Sequence, residues 1–424
     1  MIDLRTGLDQ LPDPLSIEPL SRPFDLAITP PGSKSLTCRA YVLAALARGT
    51  SRIIRPLRAD DTDRLLAALC TLGADACWDD EDVSITGTNG RFPRGGEVNL
   101  GDGGAPSRFM IAAACLAAEP VVVDASPRMR DRPIAEGVDL LRRLGADIRY
   151  IDRADRLPVR ITPRELSGGD LEVGATQSSQ FISAVMLIAP WLGEPLTLRL
   201  GERVTSPGYV QLTRHVLRHF EGTGAAGPLA ATNYAVEPDA SAATYWLAAA
   251  AMVEDSSVRI DGLAASSAQA DVRFARMLAE AGACATGGDP VGVRHAGPLH
   301  GVTCDMASMP DASMTLVAAI STATSPSTIT GLGTLRVKET DRLAALACEL
   351  TRMGCLVQTT ADSIIVDPRA RHDRPVTVET YHDHRMAMAL AILGLSRPGI
   401  SIENPACVSK SYPTFWRDFA RLYD

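Results

Sequence analysis

A helix–glycine–strand pattern recurs along the chain and limits the folds that are open to it. Leucine-rich amphipathic runs end at five glycines spaced roughly 60 to 77 residues apart, namely Gly73, Gly145, Gly222, Gly282 and Gly354. A glycine directly after such a run is typical of a helix C-terminus, because glycine adopts the left-handed backbone conformation without a steric penalty. Short alternating segments such as ADIRYI and CLVQTT follow and predict strands. The chain is therefore expected to repeat one unit of helix and strand.

The two chain ends complete this pattern. The helical run at 415–422 has no strand after it, and the strand-like segment LSIEPL near the N-terminus is its predicted partner. Six units result, and they predict an α/β (α+β) fold with three units in each of two lobes. One lobe is expected to be continuous over residues 33–236 and the other to combine residues 1–32 and 237–424, with the active site in the cleft between them. No GxGxxG motif follows a strand in the first half, which argues against a dinucleotide-binding fold.

The charge balance excludes one broad class of function. Lys and Arg number 42 against 50 Asp and Glu, a formal net charge of −8 over 424 residues. Nucleic-acid binding needs a dense excess of cations to displace counterions, so it is not expected. Small anionic ligands are compatible with this balance, since a few convergent cations can focus positive potential inside an acidic protein.

The cysteines and the apolar segments indicate a cytoplasmic protein. Nine cysteines are scattered without a CxxC pair, mostly among apolar neighbours, which predicts buried thiols in a reducing compartment and no zinc site. The N-terminus has neither the basic start nor the apolar core of a leader peptide. The longest apolar run, at 181–192, is shorter than the about 20 residues of a membrane span. No membrane partner is expected.

Glycine-rich and hydroxyl-rich motifs precede apolar helical runs in the first half. PGSKS at 31–35, LGDGGAPSR at 100–108 and TQSSQ at 176–180 each offer backbone N–H groups at a predicted helix N-terminus, where anions bind. TSPGY around Ser206 repeats the theme, and RMRDRPI at 128–134 adds arginines. Taken alone, each motif is equally compatible with a helix cap, a plain loop or a solvated basic turn.

Charged motifs of the second half combine acids and bases at high density. RVKETDRL at 336–343 holds Arg336, Lys338, Glu339, Asp341 and Arg342 within eight residues. PDASM contributes an aspartate at 311, YHDHRMAM contributes the Asp-His-Arg run at 383–385, and VSKSYP contributes a lysine at 410. Such charges need mutual pairing or a charged ligand, because an unpaired charge in a cleft is costly. A surface network of ion pairs is the alternative for RVKETDRL.

Together these motifs resemble the 5-enolpyruvylshikimate-3-phosphate synthase family. PGSKSxxxR, RMxxRPI, SSQF, VEPDASAATY, PDASMT, RVKETDRL, DHRMAM and SKSYPxF occur in that family's order and span residues 31–415. The resemblance implies a two-lobed enolpyruvyl transferase fold of six βαβαββ-type repeats, three per lobe. It also implies a monomeric enzyme that transfers the enolpyruvyl group of phosphoenolpyruvate to the 5-hydroxyl of shikimate 3-phosphate and releases phosphate, without a metal or organic cofactor.

Site residues follow from the resemblance wherever this chain matches a family motif. Those implied to bind shikimate 3-phosphate are Lys34, Ser35, Arg39, Ser178, Ser179, Gln180, Ser206, Asp311, Thr334 and Lys338. Those implied to bind phosphoenolpyruvate are Lys34, Gly104, Arg128, Gln180, Arg342, Arg385 and Lys410. Asp311 is the candidate base for the 5-hydroxyl and Glu339 the candidate acid for the methylene carbon, which requires Glu339 to carry a proton near neutral pH. Lys34 is expected to share in proton transfer.

The glycine loop and one further position depart from the family pattern. The loop is GDGGAPSR where the family usually has GNAGTAMR, so that Asp102 adds an anion beside the expected phosphate pocket, Ala105 lacks a hydroxyl and Pro106 stiffens the turn. Thr334 stands where the family often has Asn. We expect catalysis to be retained, with altered affinity for phosphoenolpyruvate and altered sensitivity to its competitor glyphosate.

Two other functions are compatible with the same motifs. UDP-N-acetylglucosamine enolpyruvyl transferase shares the fold and the donor, but its flexible loop is expected to carry a reactive cysteine, and the glycine loop at 100–108 has none. A non-catalytic descendant that binds phosphorylated ligands is the second alternative. Intact site residues argue against such a loss of activity, namely Lys34, Asp311, Glu339, Arg342, Arg385 and Lys410.

Overall fold

The computed structural model describes residues 4–174, 176–201, 204–221, 229–286 and 288–424. The chain forms two compact units. Unit 1 comprises Met1–Pro31 and Pro238–Asp424, and unit 2 comprises Gly32–Glu237.

Helices and strands alternate throughout the described residues. The helices are α1 (Lys34–Leu46), α2 (Asp60–Leu72), α3 (Gly104–Ala114), α4 (Pro127–Arg130), α5 (Ala135–Arg143), α6 (Ser179–Ile188), α7 (Pro207–Glu221), α8 (Ala240–Met252), α9 (Phe274–Glu280), α10 (Ser313–Ile320), α11 (Arg342–Arg352), α12 (His384–Leu393) and α13 (Phe415–Ala420). The strands are β1 (Leu15–Ile17), β2 (Asp25–Ile28), β3 (Thr50–Ile54), β4 (Asp75–Asp79), β5 (Asp82–Thr86), β6 (Gly96–Asn99), β7 (Val121–Asp124), β8 (Asp147–Tyr150), β9 (Val159–Thr162), β10 (Gly169–Val173), β11 (Leu196–Leu200), β12 (Asn233–Ala235), β13 (Ser257–Ile260), β14 (Cys284–Thr286), β15 (Gly292–Arg294), β16 (Thr303–Asp305), β17 (Ser327–Thr330), β18 (Leu356–Thr359), β19 (Ile364–Asp367), β20 (Val376–Val378) and β21 (Ile400–Ile402).

The strands of the described residues form three small sheets in each unit. Unit 2 has the strand orders β12-β3-β5-β4, β6-β7-β9-β8 and β10-β11, and unit 1 has β14-β15-β13-β2, β16-β17-β19-β18 and β1-β21-β20. In β6-β7-β9-β8 the first pair is parallel and the two other pairs are antiparallel, and β16-β17-β19-β18 repeats this arrangement. Helices α3 and α10 connect the parallel pairs, so both segments are βαβαββ units, as predicted.

Three helices in each unit form the centre of its core. In unit 2 they are α1, α3 and α6, which contact one another, and in unit 1 they are α8, α10 and α12. Every residue of α10 and α12 is buried. These segments are apolar around their whole circumference, and only a helix surrounded by other elements buries such a surface completely. The first residue of each helix therefore has a fixed position within its unit.

The predicted helix-ending glycines adopt the left-handed conformation wherever the structure describes them. The φ angles are 122° at Gly73, 104° at Gly145, 105° at Gly282 and 90° at Gly354. Gly222 lies outside the described residues. A residue with a side chain would be strained in this conformation at all four positions. The glycine pattern in the sequence therefore marked these helix ends correctly.

The two chain ends meet within unit 1. Strand β1 pairs antiparallel with β21, which precedes α13 in the chain. Next to this pair, the Tyr423 hydroxyl donates a hydrogen bond to the carbonyl of Glu18 at 2.6 Å, and Arg5 pairs with the Asp424 carboxylate. Helix α13 itself packs into the core through Phe415, which is fully buried. The N-terminal strand thus completes the last unit of the repeat.

The cysteines are less buried than the sequence predicted. All nine are free thiols, of which three are buried, four are half-buried and two, Cys77 and Cys348, are exposed. Cys77 lies on the edge strand β4 and Cys348 on the outer face of α11, where apolar sequence neighbours point to the other side. No described helix is long and apolar enough to cross a membrane.

Candidate active site

Many of the predicted site residues lie at the N-termini of buried helices. Lys34 and Ser35 begin α1, Gly104 begins α3, Ser178 caps α6 and Asp311 lies two residues before α10. Backbone N–H groups at such ends are not used within the helix and carry a partial positive charge, so they attract anions. The repeated fold thus supplies several anion-attracting helix ends in each unit.

Unit 1 gathers seven charged side chains into one cluster, which we call the unit 1 cluster. Its members are Asp311, Lys338, Glu339, Arg342, Asp383, Arg385 and Lys410. They come from four separate chain segments, and all but Lys338 and Glu339 are at least nine-tenths buried. The alternative of a solvated surface network for RVKETDRL is wrong for Arg342, which is only 1% exposed.

Arg342 is the centre of this cluster. Its Nε and Nη2 donate to the two carboxylate oxygens of Asp383 at 2.7 and 3.1 Å. Its Nη1 donates to Asp311 at 2.8 Å, and Nη2 also donates to Glu339 at 2.9 Å. Burial disfavours the guanidinium charge, but the three carboxylates outweigh it and raise the pKa of Arg342 further above its ordinary value.

The two candidate proton-transfer acids are each held by more than one cation. Asp311 lies 3.3 Å from Lys338 Nζ and 3.7 Å from Arg385 Nη2, in addition to its bond with Arg342. Glu339 lies 3.0 Å from Lys410 Nζ. The cluster therefore holds four cations against three carboxylates, which leaves a net positive charge for an anionic ligand.

Behind the unit 1 cluster lie polar groups that the sequence analysis did not identify. Asp271 is buried and accepts a hydrogen bond from the Ser241 hydroxyl. Burial, together with the neighbouring negative charge of Asp311, raises the pKa of Asp271 to about 6. The buried Tyr245 hydroxyl interacts with Arg385, and burial raises its pKa to about 12. Only the packing of α8 beside α10 and α12 brings these residues close, so no local motif marks them.

Thr334 lies in a 3₁₀ turn at Gly333–Val337, directly before the cluster residue Lys338. Its hydroxyl oxygen is buried and has no hydrogen-bond partner among the described residues. Buried hydroxyls normally have a hydrogen-bond partner. Among the described residues of this turn, the Thr334 hydroxyl is the buried side-chain group that makes no hydrogen bond.

In unit 2, Lys34 pairs with an acid that the sequence analysis missed. Its Nζ lies 3.1 Å from Oδ2 of Asp61, a buried residue in the first turn of α2. The Asp61 carboxylate fixes the direction of the lysine side chain and balances its charge. The run DDTD at 60–63 offers no local signal as to which acid does this.

Arg39 is committed to the interior of unit 2. It is 2% exposed, and its guanidinium donates to Thr213 and Ser183 hydroxyls at 2.8 and 3.1 Å and to the Ser35 and Tyr209 carbonyls at 2.8 and 3.2 Å. Burial lowers the pKa of Arg39 to about 10. The residue ties α1 to α6 and α7, and so positions the neighbouring hydroxyl-bearing segments.

The hydroxyl-rich segments of unit 2 present the expected polar groups. Ser178 caps α6, and its hydroxyl accepts a hydrogen bond from the Gln180 backbone at 3.3 Å. The Gln180 side chain is held by Arg108, whose Nη1 donates to Oε1 at 2.5 Å. Ser179 is buried directly after the cap, and Ser206 has a left-handed φ of 48° just before α7. Such a backbone conformation costs energy in a residue with a side chain and is common at ligand sites.

The arginine motif places two guanidinium groups differently. Arg128 is half-buried on α4, while Arg132 is only 8% exposed. A Cβ added to Gly104 would lie 2.6 Å from Nη1 of Arg132, so the bare glycine is what lets this guanidinium lie against the start of α3. The sequence analysis selected Arg128 and did not select Arg132, and the Pro-Ile pair that follows Arg132 is the only local distinction between them.

A cavity of about 750 Å³ in unit 1 lies at the other ends of the core helices. It is lined by the C-terminal residues of α8, α10 and α12 and by arginines including Arg371 and Arg397. Arg371 donates to the Ala323 carbonyl at 3.2 Å, and Arg397 donates to the His372 carbonyl at 2.7 Å. These arginines stabilise helix and loop ends, and the cavity contains none of the predicted site residues.

Comparison with known proteins points to enolpyruvyl transfer, the reaction that the sequence motifs predict. A model of the family described as EPSP synthase (3-phosphoshikimate 1-carboxyvinyltransferase) matches residues 21–419. A 3-phosphoshikimate 1-carboxyvinyltransferase of Methanoculleus marisnigri is 40% identical over 409 residues, 93% of this chain and 96% of that one. A solved EPSP synthase from Acinetobacter baumannii has a TM-score of 0.79 at 25% identity, over 96% of this chain and 97% of that one. The enolpyruvyl transferase NikO from Streptomyces tendae shares the fold, with a TM-score of 0.74 at 19% identity over 97% and 98% of the two chains.

Proposed function

The chain belongs to the EPSP synthase family, and from this premise we propose how its residues carry out enolpyruvyl transfer. It is an enzyme that transfers the enolpyruvyl group of phosphoenolpyruvate to the 5-hydroxyl of shikimate 3-phosphate and releases phosphate. Both substrates are small phosphorylated anions, so the protein must bring cations together to bind them.

The observation that carries the assignment of residues is the unit 1 cluster. Arg342, Arg385 and Lys410 are buried beside the acids Asp311 and Glu339, in a unit whose other arginines mostly face solvent. Burying cations is costly unless they are paired, and here the pairs involve the two carboxylates to which proton transfer is assigned. Binding groups and proton-transfer groups are thus already assembled within one unit.

Phosphoenolpyruvate carries a carboxylate and a phosphate, and both suit guanidinium and ammonium groups. We assign its binding to Lys34, Gly104, Arg128, Gln180, Arg342, Arg385 and Lys410, and add Arg132 because its guanidinium lies at Gly104. Arginine offers paired N–H groups to such oxygens, and the start of α3 adds backbone N–H groups.

Shikimate 3-phosphate is assigned to hydroxyl and amide groups together with a few charges. Its residues are Lys34, Ser35, Arg39, Ser178, Ser179, Gln180, Ser206, Asp311, Thr334 and Lys338. The serines lie at the starts of α6 and α7, which supports a phosphate site there. Arg39 supports this site chiefly by positioning, since its guanidinium makes four hydrogen bonds within unit 2.

The reaction needs one proton removed and one proton delivered. In the addition, the 5-oxygen bonds to C2 of phosphoenolpyruvate, Asp311 takes the hydroxyl proton, and Glu339 gives a proton to the methylene carbon. In the elimination, the new methyl group returns a proton to Glu339, Asp311 passes its proton to the leaving phosphate oxygen, and the bond from C2 to that oxygen breaks, which releases phosphate. Lys34 shares in these proton transfers.

Binding of phosphoenolpyruvate prepares the acid for this role. Glu339 pairs with Arg342 and Lys410 at 2.9 and 3.0 Å. A bound carboxylate or phosphate competes for these two cations and leaves the Glu339 side chain fewer cationic partners, which suits a group that must deliver a proton. Asp311 keeps Lys338 as a partner at 3.3 Å and remains positioned as the base.

The test is a phosphate-release assay with the purified chain. We expect release that requires both phosphoenolpyruvate and shikimate 3-phosphate and no added metal, and no release when UDP-N-acetylglucosamine replaces shikimate 3-phosphate. Lys410→Gln should raise KM for phosphoenolpyruvate at least about tenfold, the effect of losing one charge-assisted contact. Arg369→Gln, which removes a solvent-exposed cation of the same unit, should leave it unchanged. Release without dependence on the second substrate, or equal effects of the two variants, would contradict the assignment.

Assembly and compartment complete the proposal. Among the described residues the large hydrophobic side chains with high exposure are Ile151 and Leu356, which supports a monomer because a stable dimer needs a contiguous apolar patch. The nine free thiols support a reducing, cytoplasmic compartment. Light scattering that gives the mass of one chain would support the first point, and fractionation of the native host would test the second.

A further inference from the structure

We propose that the cavity at the C-terminal ends of α8, α10 and α12 is a binding site for a small organic carboxylate with an apolar body. We call it the unit 1 cavity. Its volume of about 750 Å³ is typical of small-molecule sites in proteins. The site is distinct from the one assigned to enolpyruvyl transfer, because its lining contains none of the residues to which substrate binding is assigned.

The buried part of the cavity wall is apolar. Leu299, Met353 and Leu393 line it, and each is at most 3% exposed. Ala251 and Cys355 are buried in the same wall, and burial raises the pKa of the Cys355 thiol to about 11, which keeps this side of the cavity uncharged. A ligand that covers such side chains removes apolar surface from water, so the wall favours an apolar body.

Arg397 brings a full positive charge to this wall. The residue lines the cavity and is only 5% exposed. Its Nη1 donates to the Pro398 carbonyl at 3.4 Å, and its Nη2 donates to the carbonyls of His372 and Arg374 at 2.7 and 2.9 Å. These carbonyls carry partial charges only. Within the described part of the chain, no carboxylate forms an ion pair with this guanidinium, and burial lowers the pKa of Arg397.

The Nε group of Arg397 is the donor that remains for a ligand. It is buried and has no hydrogen-bond partner among the described residues. Arg39, the buried arginine of unit 2, differs in this respect, since its Nε, Nη1 and Nη2 all donate to protein oxygens. Burial of a cation and of an N–H group is costly unless both are paired, and a carboxylate in the cavity would pair both.

A second arginine extends the positive charge to the rim. Arg371 lines the cavity, is exposed, and makes one hydrogen bond, to the Ala323 carbonyl at 3.2 Å. Two rim acids, Glu254 and Asp373, and the carbonyl ends of the three helices oppose it. A monoanion such as a carboxylate fits this balance, whereas the larger charge of a phosphate would be repelled more strongly by the acids and the helix ends.

The test is a calorimetric titration of the full chain with naphthoate, which combines a carboxylate with an apolar ring system. Naphthylmethanol has the same rings without the charge, acetate has the carboxylate without the rings, and inorganic phosphate is a second kind of anion. These titrations do not require catalysis, so their failure and a failure of the proposed function are distinguishable.

Two substitutions test the arginines, and two serve as controls. Arg397→Gln removes the buried charge, and Arg371→Gln removes the rim charge from an exposed side chain whose loss should not affect folding. Arg276→Gln is the matched control, because it removes a cation of unit 1 that is 80% exposed and lies outside the cavity. Lys410→Gln removes a cation of the unit 1 cluster and thus reports binding at the proposed active site.

We expect naphthoate to bind with a Kd below about 1 mM, and the other three compounds to bind at least about tenfold more weakly. Arg397→Gln should weaken naphthoate binding at least about tenfold and Arg371→Gln about threefold, while Arg276→Gln and Lys410→Gln should leave it within about twofold. If Arg397→Gln does not fold, as judged by circular dichroism, Arg371→Gln decides. The absence of naphthoate binding, equal binding of naphthylmethanol or phosphate, or a loss of affinity in Lys410→Gln but not in the arginine variants would overturn the proposal.

Discussion

The buried pair of Arg342 and Asp383 makes the substitution Asp383→Asn a sharp test of the unit 1 cluster. Asp383 is fully buried, and its Oδ1 accepts from both Arg342 Nη2 and the Arg385 backbone, at 3.1 and 2.9 Å. Its Oδ2 accepts from Arg342 Nε at 2.7 Å. Asparagine has nearly the same shape and caps a helix equally well, so α12 should begin as before. One of its two terminal atoms, however, becomes an N–H₂ group that faces N–H donors.

The magnitude follows from what Arg342 retains. Removing one partner of a buried ion pair costs about 3–5 kcal/mol when the other charge is left alone. Here Asp311 and Glu339 still pair with the guanidinium at 2.8 and 2.9 Å, so we expect a loss of about 2–4 kcal/mol in the free energy of unfolding. For a domain of this size, about 2–4 °C of Tm corresponds to 1 kcal/mol, which predicts a fall of roughly 5–15 °C.

The chain contains a matched control for this substitution. Asp367 and Arg369 make the same two-bond contact, at 2.9 and 2.6 Å, but the arginine side chain is 64% exposed. Asp367→Asn should therefore cost much less stability than Asp383→Asn, because a solvent-exposed ion pair contributes little. Thermal unfolding followed by circular dichroism gives both values, and KM for phosphoenolpyruvate should rise only in Asp383→Asn. Equal losses of Tm in the two variants would refute the reasoning, because burial would then not determine the strength of the pair.

Three further substitutions test other features of the structure. In Gly104→Ala the new Cβ would approach the Arg132 guanidinium to 2.6 Å and should displace it. KM for phosphoenolpyruvate should then rise about tenfold, with little change in KM for shikimate 3-phosphate. Equal changes of the two KM values in steady-state assays would contradict this expectation. Asp61→Asn should lower kcat/KM roughly tenfold by releasing Lys34, and an unchanged value would remove Asp61 from the site. Burial raises the pKa of Asp271 from 3.8 to about 6, so the folded chain binds more protons than the unfolded chain between these values and stability falls as pH rises through them. Asp271→Asn should abolish that fall, up to about 3 kcal/mol in urea unfolding, and a slope that persists would assign it to another group.

Helix ends and motif order could be predicted from the sequence because they depend on local rules. Gly73, Gly145, Gly282 and Gly354 mark helix ends through the backbone conformation that glycine alone adopts easily. The Asp-His-Arg run at 383–385 opens a helix because an aspartate cap precedes apolar residues. Each of these signals is contained within a few consecutive residues, so it can be recognised without knowledge of tertiary contacts.

The partners of the site residues could not be predicted, because they are set by packing between distant segments. Asp61 reaches Lys34 across 27 positions, and Arg132 reaches Gly104 from the turn between α4 and α5. Arg39 shows the same limit in another form, since its motif suggested a ligand contact while its neighbours in α6 and α7 occupy much of its guanidinium. Sequence patterns identify charged groups, but only the fold determines what neutralises them.

The pairing of β1 with β21 has a consequence for the order in which the chain can fold during its synthesis. Ser16 and Ser401, which face each other in this pair, are 385 positions apart, so the ribosome has made nearly the whole chain before β1 finds its neighbour. The continuous unit 2 is complete much earlier and can fold while synthesis proceeds. Strand β1 must wait for β21, and contacts of such long range close slowly. A truncation of the last helix and strand should therefore leave the first segment of the nascent chain exposed to proteases, however well the middle of the protein has folded.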